Sequence, residues 1–396
     1  MKKRGFAAVI CLLLAVALLA SGCGGGSAPP AETKKEIVIG GIIDLTGPTG
    51  DVGSPYHDGA KAYFEYLNSK GGLDGHPVRL DAIDYAYEIK RAQEAYNRLV
   101  KSTGVPAILG WGTGDTEALK SFVAKDEIPY LSGSYSEHLT DIQACPYNFV
   151  LAASYTDQAR IALKWAKDNW REARAPKLSF VYNNTPFGTS HLEDAKAFAQ
   201  ELGFELVGDE VLDLKTLDAT TQMLNLKNKG ADFAIIQGTS NLAATVLKDA
   251  RKLGVETQFI GLNWAFNEKV VSLAGAAANG YIGVVPFAFP GEDVPGMADI
   301  KAYLDSKGKE FKDVNQNFVQ GWMSAMVMLE GVRLAGDDIT GPGIRRGLES
   351  LNGFDPAGLG APVTFTSESH RGSVHVRLAQ VQDGGIVYLT DWITYK

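Results

Sequence analysis

The strongest constraint on this chain is a repeat. The segment "AILGWGTGDTEALKSFVAKDEIPYLSG" (107–133) has a later counterpart in "AIIQGTSNLAATVLKDARKLGVETQFIG" (234–261). Each reads as strand, glycine-threonine turn, helix and strand. Gly110 and Gly133 stand 23 residues apart, as do Gly238 and Gly261. An earlier pair keeps the same order: "DLTGPTGDVGSPYHDGAKAYFEYLNSKGG" (44–72) and "NNTPFGTSHLEDAKAFAQELG" (183–203). Both leave a strand through a proline-glycine turn and enter a helix holding Ala-Lys-Ala, at 60–62 and 195–197. Two repeats in one order point to two similar α/β lobes, each a doubly wound sheet.

The surrounding pattern agrees. Apolar runs at 37–44, 78–85, 106–110, 128–133, 177–183, 205–212, 232–238, 258–263 and 281–287 alternate with helix-period segments. That alternation predicts parallel sheets with crossover helices. It stops late in the chain. Residues 315–336 predict a long helix with a wide apolar face, and 374–393 a hairpin turning at Asp383-Gly384-Gly385. A chain that returns to both lobes makes a hinge of several strands. The expected division is one lobe from 37–152 with 286–372, and a second from 153–285 with 373–396.

The first residues are processing signals rather than fold. Lys2, Lys3 and Arg4 precede an apolar run over 6–20, which is short for a membrane span and flanked as a secretory signal is. Ala20, Ser21 and Gly22 before Cys23 resemble a bacterial lipobox. That resemblance implies a signal peptide over 1–22, cleavage before Cys23, and a lipid anchor on Cys23. Residues 23–36 then form a flexible tether. If Cys23 carries lipid, Cys145 is the other cysteine of the mature chain, so a large core rather than disulfides must supply stability. The net charge is −8, and more negative by three once the basic leader is gone. An acidic balance argues against nucleic acid as a partner.

In doubly wound sheets, ligands bind beyond the carboxyl ends of the strands. The "GWGTGD" turn of one lobe and the "QGTSN" turn of the other should therefore border one cleft. A nucleotide reading of the first turn fails in detail. Its glycines fall at 110, 112 and 114, Asp115 sits where a dinucleotide fingerprint is expected to continue, and no Lys-Ser or Lys-Thr follows. Ser134 lacks the strand-to-helix elbow of a hydrolase nucleophile. The six histidines (57, 76, 138, 191, 370, 375) form no cluster with it or with cysteines. No enzyme, cofactor or metal site is expected.

Taken together, "IVIGGIIDLTGPTG" with "GAKAYFEYLNSKGGLDGHPVRL", "IPYLSGSYSEHLT", "PFG" at 186–188 and "KLGVETQFIG" resemble the leucine/isoleucine/valine-binding protein family. These are the type 1 periplasmic receptors of ABC importers. The resemblance implies two Rossmann-like lobes joined by three hinge crossings in a Venus-flytrap, with a small ligand held by lobe closure and a membrane permease as partner. The implied molecule is an exported monomer in the periplasm or on the outer face of the cell membrane, lipid-anchored at Cys23. A sensor of the same fold feeding a signalling partner is the alternative.

The family's carboxylate-binding turns correspond here to Thr113 and Gly114, and to Ser134, Tyr135 and Ser136. Phe187 takes the place of a second-lobe aromatic, and Gly238 and Thr239 follow the next strand. Asn263 stands where amino-acid binders often place the carboxylate that pairs with a ligand ammonium, and an amide leaves that charge uncompensated. Asp115 is either a substitute or a first-turn helix acid. Trp111, Tyr135, Phe187, Trp264 and Phe266 make the expected rim strongly aromatic, with some of them ordinary core, Phe266 first among those expected to point away from the cleft, and Tyr56, Tyr85 and Tyr87 ranked behind them. The reading that follows is a small amino acid or related organic carboxylate, aromatic ones included.

Overall fold

The computed structural model describes residues 34–395. The signal peptide, Cys23 and most of the tether lie outside the described residues. From Glu36 the chain forms one compact unit built on two sheets, one at the centre of each lobe.

The first lobe opens with β1 (Ile37–Ile43), α1 (Gly50–Ser69), β2 (Val78–Asp84), α2 (Ile89–Asn97), β3 (Ile108–Gly110), α3 (Thr113–Asp126), β4 (Tyr130–Ser132) and β5 (Asn148–Val150). Its sheet runs β2-β1-β3-β4-β5, parallel throughout. The second lobe takes α4 (Tyr155–Asn169), β6 (Lys177–Tyr182), α5 (Pro186–Thr189), α6 (Leu192–Glu201), β7 (Glu205–Leu206), β8 (Glu210–Val211), α7 (Thr220–Lys229), β9 (Phe233–Gln237), α8 (Ser240–Leu253), β10 (Gln258–Gly261), α9 (Glu268–Ala274) and β11 (Ile282–Val285). Helices α10 (Gly296–Ser306), α11 (Gln316–Leu334) and α12 (Gly341–Glu349) follow, α11 packing on both α1 and α12. Strands β12 (Arg377–Gln382) and β13 (Gly385–Tyr388) complete the second sheet, ordered β13-β12-β11-β10-β9-β6-β7 with β8 also on β6. The chain passes between sheets after β5, after β11 and before β12.

Most strands are a residue or two shorter than their apolar runs. The run at 205–212 is two short strands, because Gly208 adopts φ +93 between them. Strand β5 was not anticipated; "NFV" is too short and too mixed to stand out by periodicity. The expected hairpin and long helix are present. Helix α11 is buried on nearly every side, as expected where apolar residues cover more than one stripe. Asn315 caps it by accepting from the Phe318 N–H. Ser154 caps α4 by accepting from the Asp157 N–H at 3.1 Å.

Helices α1 and α11 meet at backbone distance. A Cβ on Gly59 would lie 1.9 Å from the Phe318 carbonyl oxygen, and one on Gly321 1.8 Å from that of Tyr56. This crossing sets the height of Tyr56 under the cleft. Among the described residues no helix is long and apolar enough to cross a membrane, and no cluster of metal-binding side chains occurs.

Candidate functional site

The parallel strands of both lobes end at one gap, and their C-terminal turns form its walls. The cavity there is small, about 20 Å³, lined by Thr49, Val52, Tyr87, Trp111, Gly112, Thr113, Gly133, Tyr155, Phe187, Thr239 and Trp264. Eight positions come from the turns after β1 to β4 and from the start of α4. Phe187, Thr239 and Trp264 follow β6, β9 and β10. No charged side chain lines this cavity among the described residues.

Aromatic rings set its shape. Trp111 and Trp264 meet edge-on across the lobes with centroids 4.8 Å apart, and Tyr56 supports Trp111 at 5.1 Å. Tyr135 stacks parallel to Trp264 at 6.1 Å, and Phe187 meets Tyr155 edge-on at 5.6 Å. Each indole nitrogen is engaged. Trp111 Nε1 donates to Thr49 Oγ1 at 2.8 Å, and Thr49 donates in turn to Asp44 at 2.7 Å. Trp264 Nε1 donates to the Tyr155 hydroxyl at 3.1 Å. Both rings are therefore fixed in orientation before any solute arrives, which lowers the entropic cost of binding.

The polar groups divide into engaged and open. The Thr113 and Ser134 hydroxyls share a hydrogen bond of 2.6 Å, so Ser134 stands directly behind a lining residue. Thr239 Oγ1 is buried without a hydrogen-bond partner and faces the cavity. Thr239 occupies the N-cap position of α8, with extended backbone, yet its side chain does not cap that helix.

Asp115 lies in the first turn of α3, folded back beneath Gly112. A Cβ on Gly112 would be 2.4 Å from Asp115 Oδ1, so any larger residue there would push the carboxylate aside. Asp115 Oδ1 accepts from the Tyr85 hydroxyl at 2.7 Å, and Oδ2 has no partner. Burial is the main reason its carboxyl is pushed up to about 7, against hydrogen bonds that favour the charge. Burial likewise raises the hydroxyl of Tyr155 far above its usual range. Near neutral pH the Tyr155 hydroxyl is therefore neutral, while Asp115 is divided between its protonated and ionised forms.

Of the residues singled out in the sequence, the cavity brings together Trp111, Thr113, Phe187, Thr239 and Trp264. Gly114 faces the opposite lobe at Pro186, 3.6 Å from the position of a Cβ. Asp115 and Ser134 sit one layer behind the wall. The Tyr135 hydroxyl accepts from Gln320 Nε2 at 2.6 Å, which turns it toward α11. Ser136 and Asn263 are buried off the cavity, with the Ser136 hydroxyl and both polar atoms of the Asn263 amide lacking partners. The Asn263 N–H donates to Gln158 Oε1 at 3.0 Å. Phe266 departs from the expected rim altogether; it packs on Tyr281 and Phe289 inside the second lobe. Thr49, Val52, Gly112, Gly133 and Tyr155 were not anticipated, and Tyr87 proves to be a wall residue.

Two similar lobes whose strand ends converge on a small enclosed gap define a two-lobed solute-binding protein, an α/β fold of type 1. The chain belongs to the periplasmic binding protein family, which matches residues 36–385. It is 23% identical over 322 residues to the Leu/Ile/Val-binding protein of Citrobacter freundii, spanning 81% of this chain and 85% of that one. A solved branched chain amino acid ABC transporter protein from Thermus thermophilus with bound valine superposes at TM-score 0.87 and 25% identity, covering 92% of this chain and 97% of that one. A fatty acid ABC transporter substrate-binding protein from Thermomonospora curvata superposes at 0.82 with 22% identity, covering 92% and 94%, a likeness of fold. The family is one of extracytoplasmic solute binders rather than enzymes.

Proposed function

We propose that this protein is an exported lipoprotein, anchored at Cys23, that captures a small organic carboxylate with an apolar or aromatic body and delivers it to the permease of an ABC importer. The observation that carries this reading is the cavity between the lobes, walled by five aromatic residues and three threonines and free of charged lining. Its volume in this arrangement, about 20 Å³, is that of about one water, so a solute enters as the lobes part, and its class is read from the lining rather than from the volume. Thr113 and the first-turn amides of α3 offer donors for a carboxylate without a full positive charge. The proposed contacts are Trp111, Thr113, Phe187, Thr239 and Trp264, joined by Thr49, Tyr87 and Tyr155. Ser134, through the Thr113 hydroxyl, and Tyr135, against the Trp264 ring, act as the layer behind them, and Gly114, Asp115, Ser136 and Asn263 lie outside the proposed contacts.

A zwitterionic amino acid fits the chemistry less well, because no carboxylate lines the cavity to meet its ammonium. The names of the relatives keep branched-chain amino acids in the comparison all the same. Calorimetry with leucine, phenylalanine, 4-methylpentanoate and phenylpropanoate tests the assignment. Binding of the deaminated acids supports it, and binding of the amino acids alone overturns the carboxylate reading in favour of the zwitterion. Loss of uptake of the bound solute on deletion of the protein supports delivery to a permease; retained uptake with a lost response would mark a sensor.

A further inference from the structure

We propose that Asp51 is a positioning residue that holds the lobes together over the cavity by capping a helix of the opposite lobe. Asp51 lies in the first turn of α1 in the first lobe, beside the wall residue Val52. Its Oδ2 accepts from the backbone N–H of Asn241 at 2.8 Å, in the first turn of α8 in the second lobe. The residue placed to cap α8 is Thr239, and it does not do so. Helix α8 therefore takes its cap from across the gap. Lys269, at the start of α9 in the second lobe, donates Nζ to the Asp51 carbonyl oxygen at 3.2 Å. Two second-lobe donors thus converge on one first-lobe residue at the lip of the cavity.

The physical effect is specific. A carboxylate at a helix N-terminus is favoured by the helix dipole, and a hydrogen bond to a charged acceptor is roughly twice as strong as a neutral one. Because the partners sit on different lobes, this contact is made only when the lips meet. Its free energy therefore goes into the open-to-closed equilibrium, and apparent affinity scales with the fraction of molecules in the binding-competent state. The inference rests on the reading of capture by lobe closure, but its test needs no solute, so either can fail alone.

Hydrogen–deuterium exchange on the full chain without added solute makes that test, comparing wild type with Asp51→Ala, Asp51→Asn and Lys269→Met. Segments 239–245 and 111–116 report the two lips, and α12 serves as a remote reference. Asp51→Ala is expected to raise exchange at both lips by about tenfold, the ratio set by losing one hydrogen bond to a charged group, with α12 unchanged. Asp51→Asn, which keeps an acceptor oxygen, falls between, and Lys269→Met gives a smaller rise at both lips. A rise confined to 239–245 would mean a local cap only and overturns the proposal. So does no rise, or a rise shared equally by α12 in both the Asp51→Ala and Lys269→Met proteins.

Discussion

Asp115 and Thr239 show how one turn chemistry yields two roles. Each opens a helix at the cavity, yet Asp115 folds under Gly112 while Thr239 leaves its hydroxyl in the gap. Thr239→Val removes no protein hydrogen bond, so stability should change by no more than about 0.5 kcal/mol. Affinity for the bound solute should fall by roughly five- to tenfold, the worth of one hydrogen bond, read by calorimetry beside urea unfolding. For Asp115, the unfolded carboxyl titrates near its ordinary value, about 3.9, and the folded one at about 7. Between these values the native state holds a proton that the unfolded chain has lost, so this residue makes stability fall as pH rises through the window. Glu268, also pushed up to about 7 by burial, acts in the same direction, whereas the buried His191, held down at about 3, makes stability rise from about pH 3 to 6.5. The informative quantity is thus a difference. Asp115→Asn should gain on wild type from about pH 4 to 7 and hold a constant difference above that, measured by urea unfolding across the range.

At the scale of elements, the contact of α1 with α11 is the one the site depends on most. Gly59 and Gly321 let the two backbones touch, which seats Tyr56 against Trp111 and Trp264. Gly321→Ala should force the helices apart and cost about 1–3 kcal/mol by overpacking, seen in chemical denaturation together with weakened solute binding. The sequence shows both glycines inside helix-period segments but gives no sign that they face each other, since they are 262 positions apart. Strand β5 was hidden for a related reason. Its three residues pair with β4 and are flanked by the returning segment at Arg371, so its conformation comes from neighbours rather than from its own pattern.

For the whole molecule, the crossings between lobes carry a charged clasp. Arg371, bridged to Val150, donates to Glu137 at 3.0 Å and also to Asp157 at the start of α4. The Asp157 side chain is 1% exposed. Arg371→Met should therefore cost roughly 3 kcal/mol, because it strands a buried carboxylate, and denaturant unfolding would show it. Closure by solute belongs to this scale too. A solute at 100 times its dissociation constant adds about 2.7 kcal/mol to the folded state, which a thermal-shift panel of amino acids, aromatic acids and short amides should register.

The sequence by itself determined the two-lobed α/β class and the turns that border the cleft, because periodicity and the doubled glycine-threonine turn are local properties that repeat with the lobes. Trp111, Thr113, Phe187, Thr239 and Trp264 were legible for that reason. Only the tertiary structure decided which neighbours face the gap: that Asp115 turns under Gly112, that Tyr135 turns toward Gln320, and that Thr49 and Tyr155 hold the indoles. Those choices depend on side-chain direction and on partners brought together from distant segments. The Asp51 contact is the extreme case, since it joins residues 190 positions apart across a gap that exists only between folded lobes.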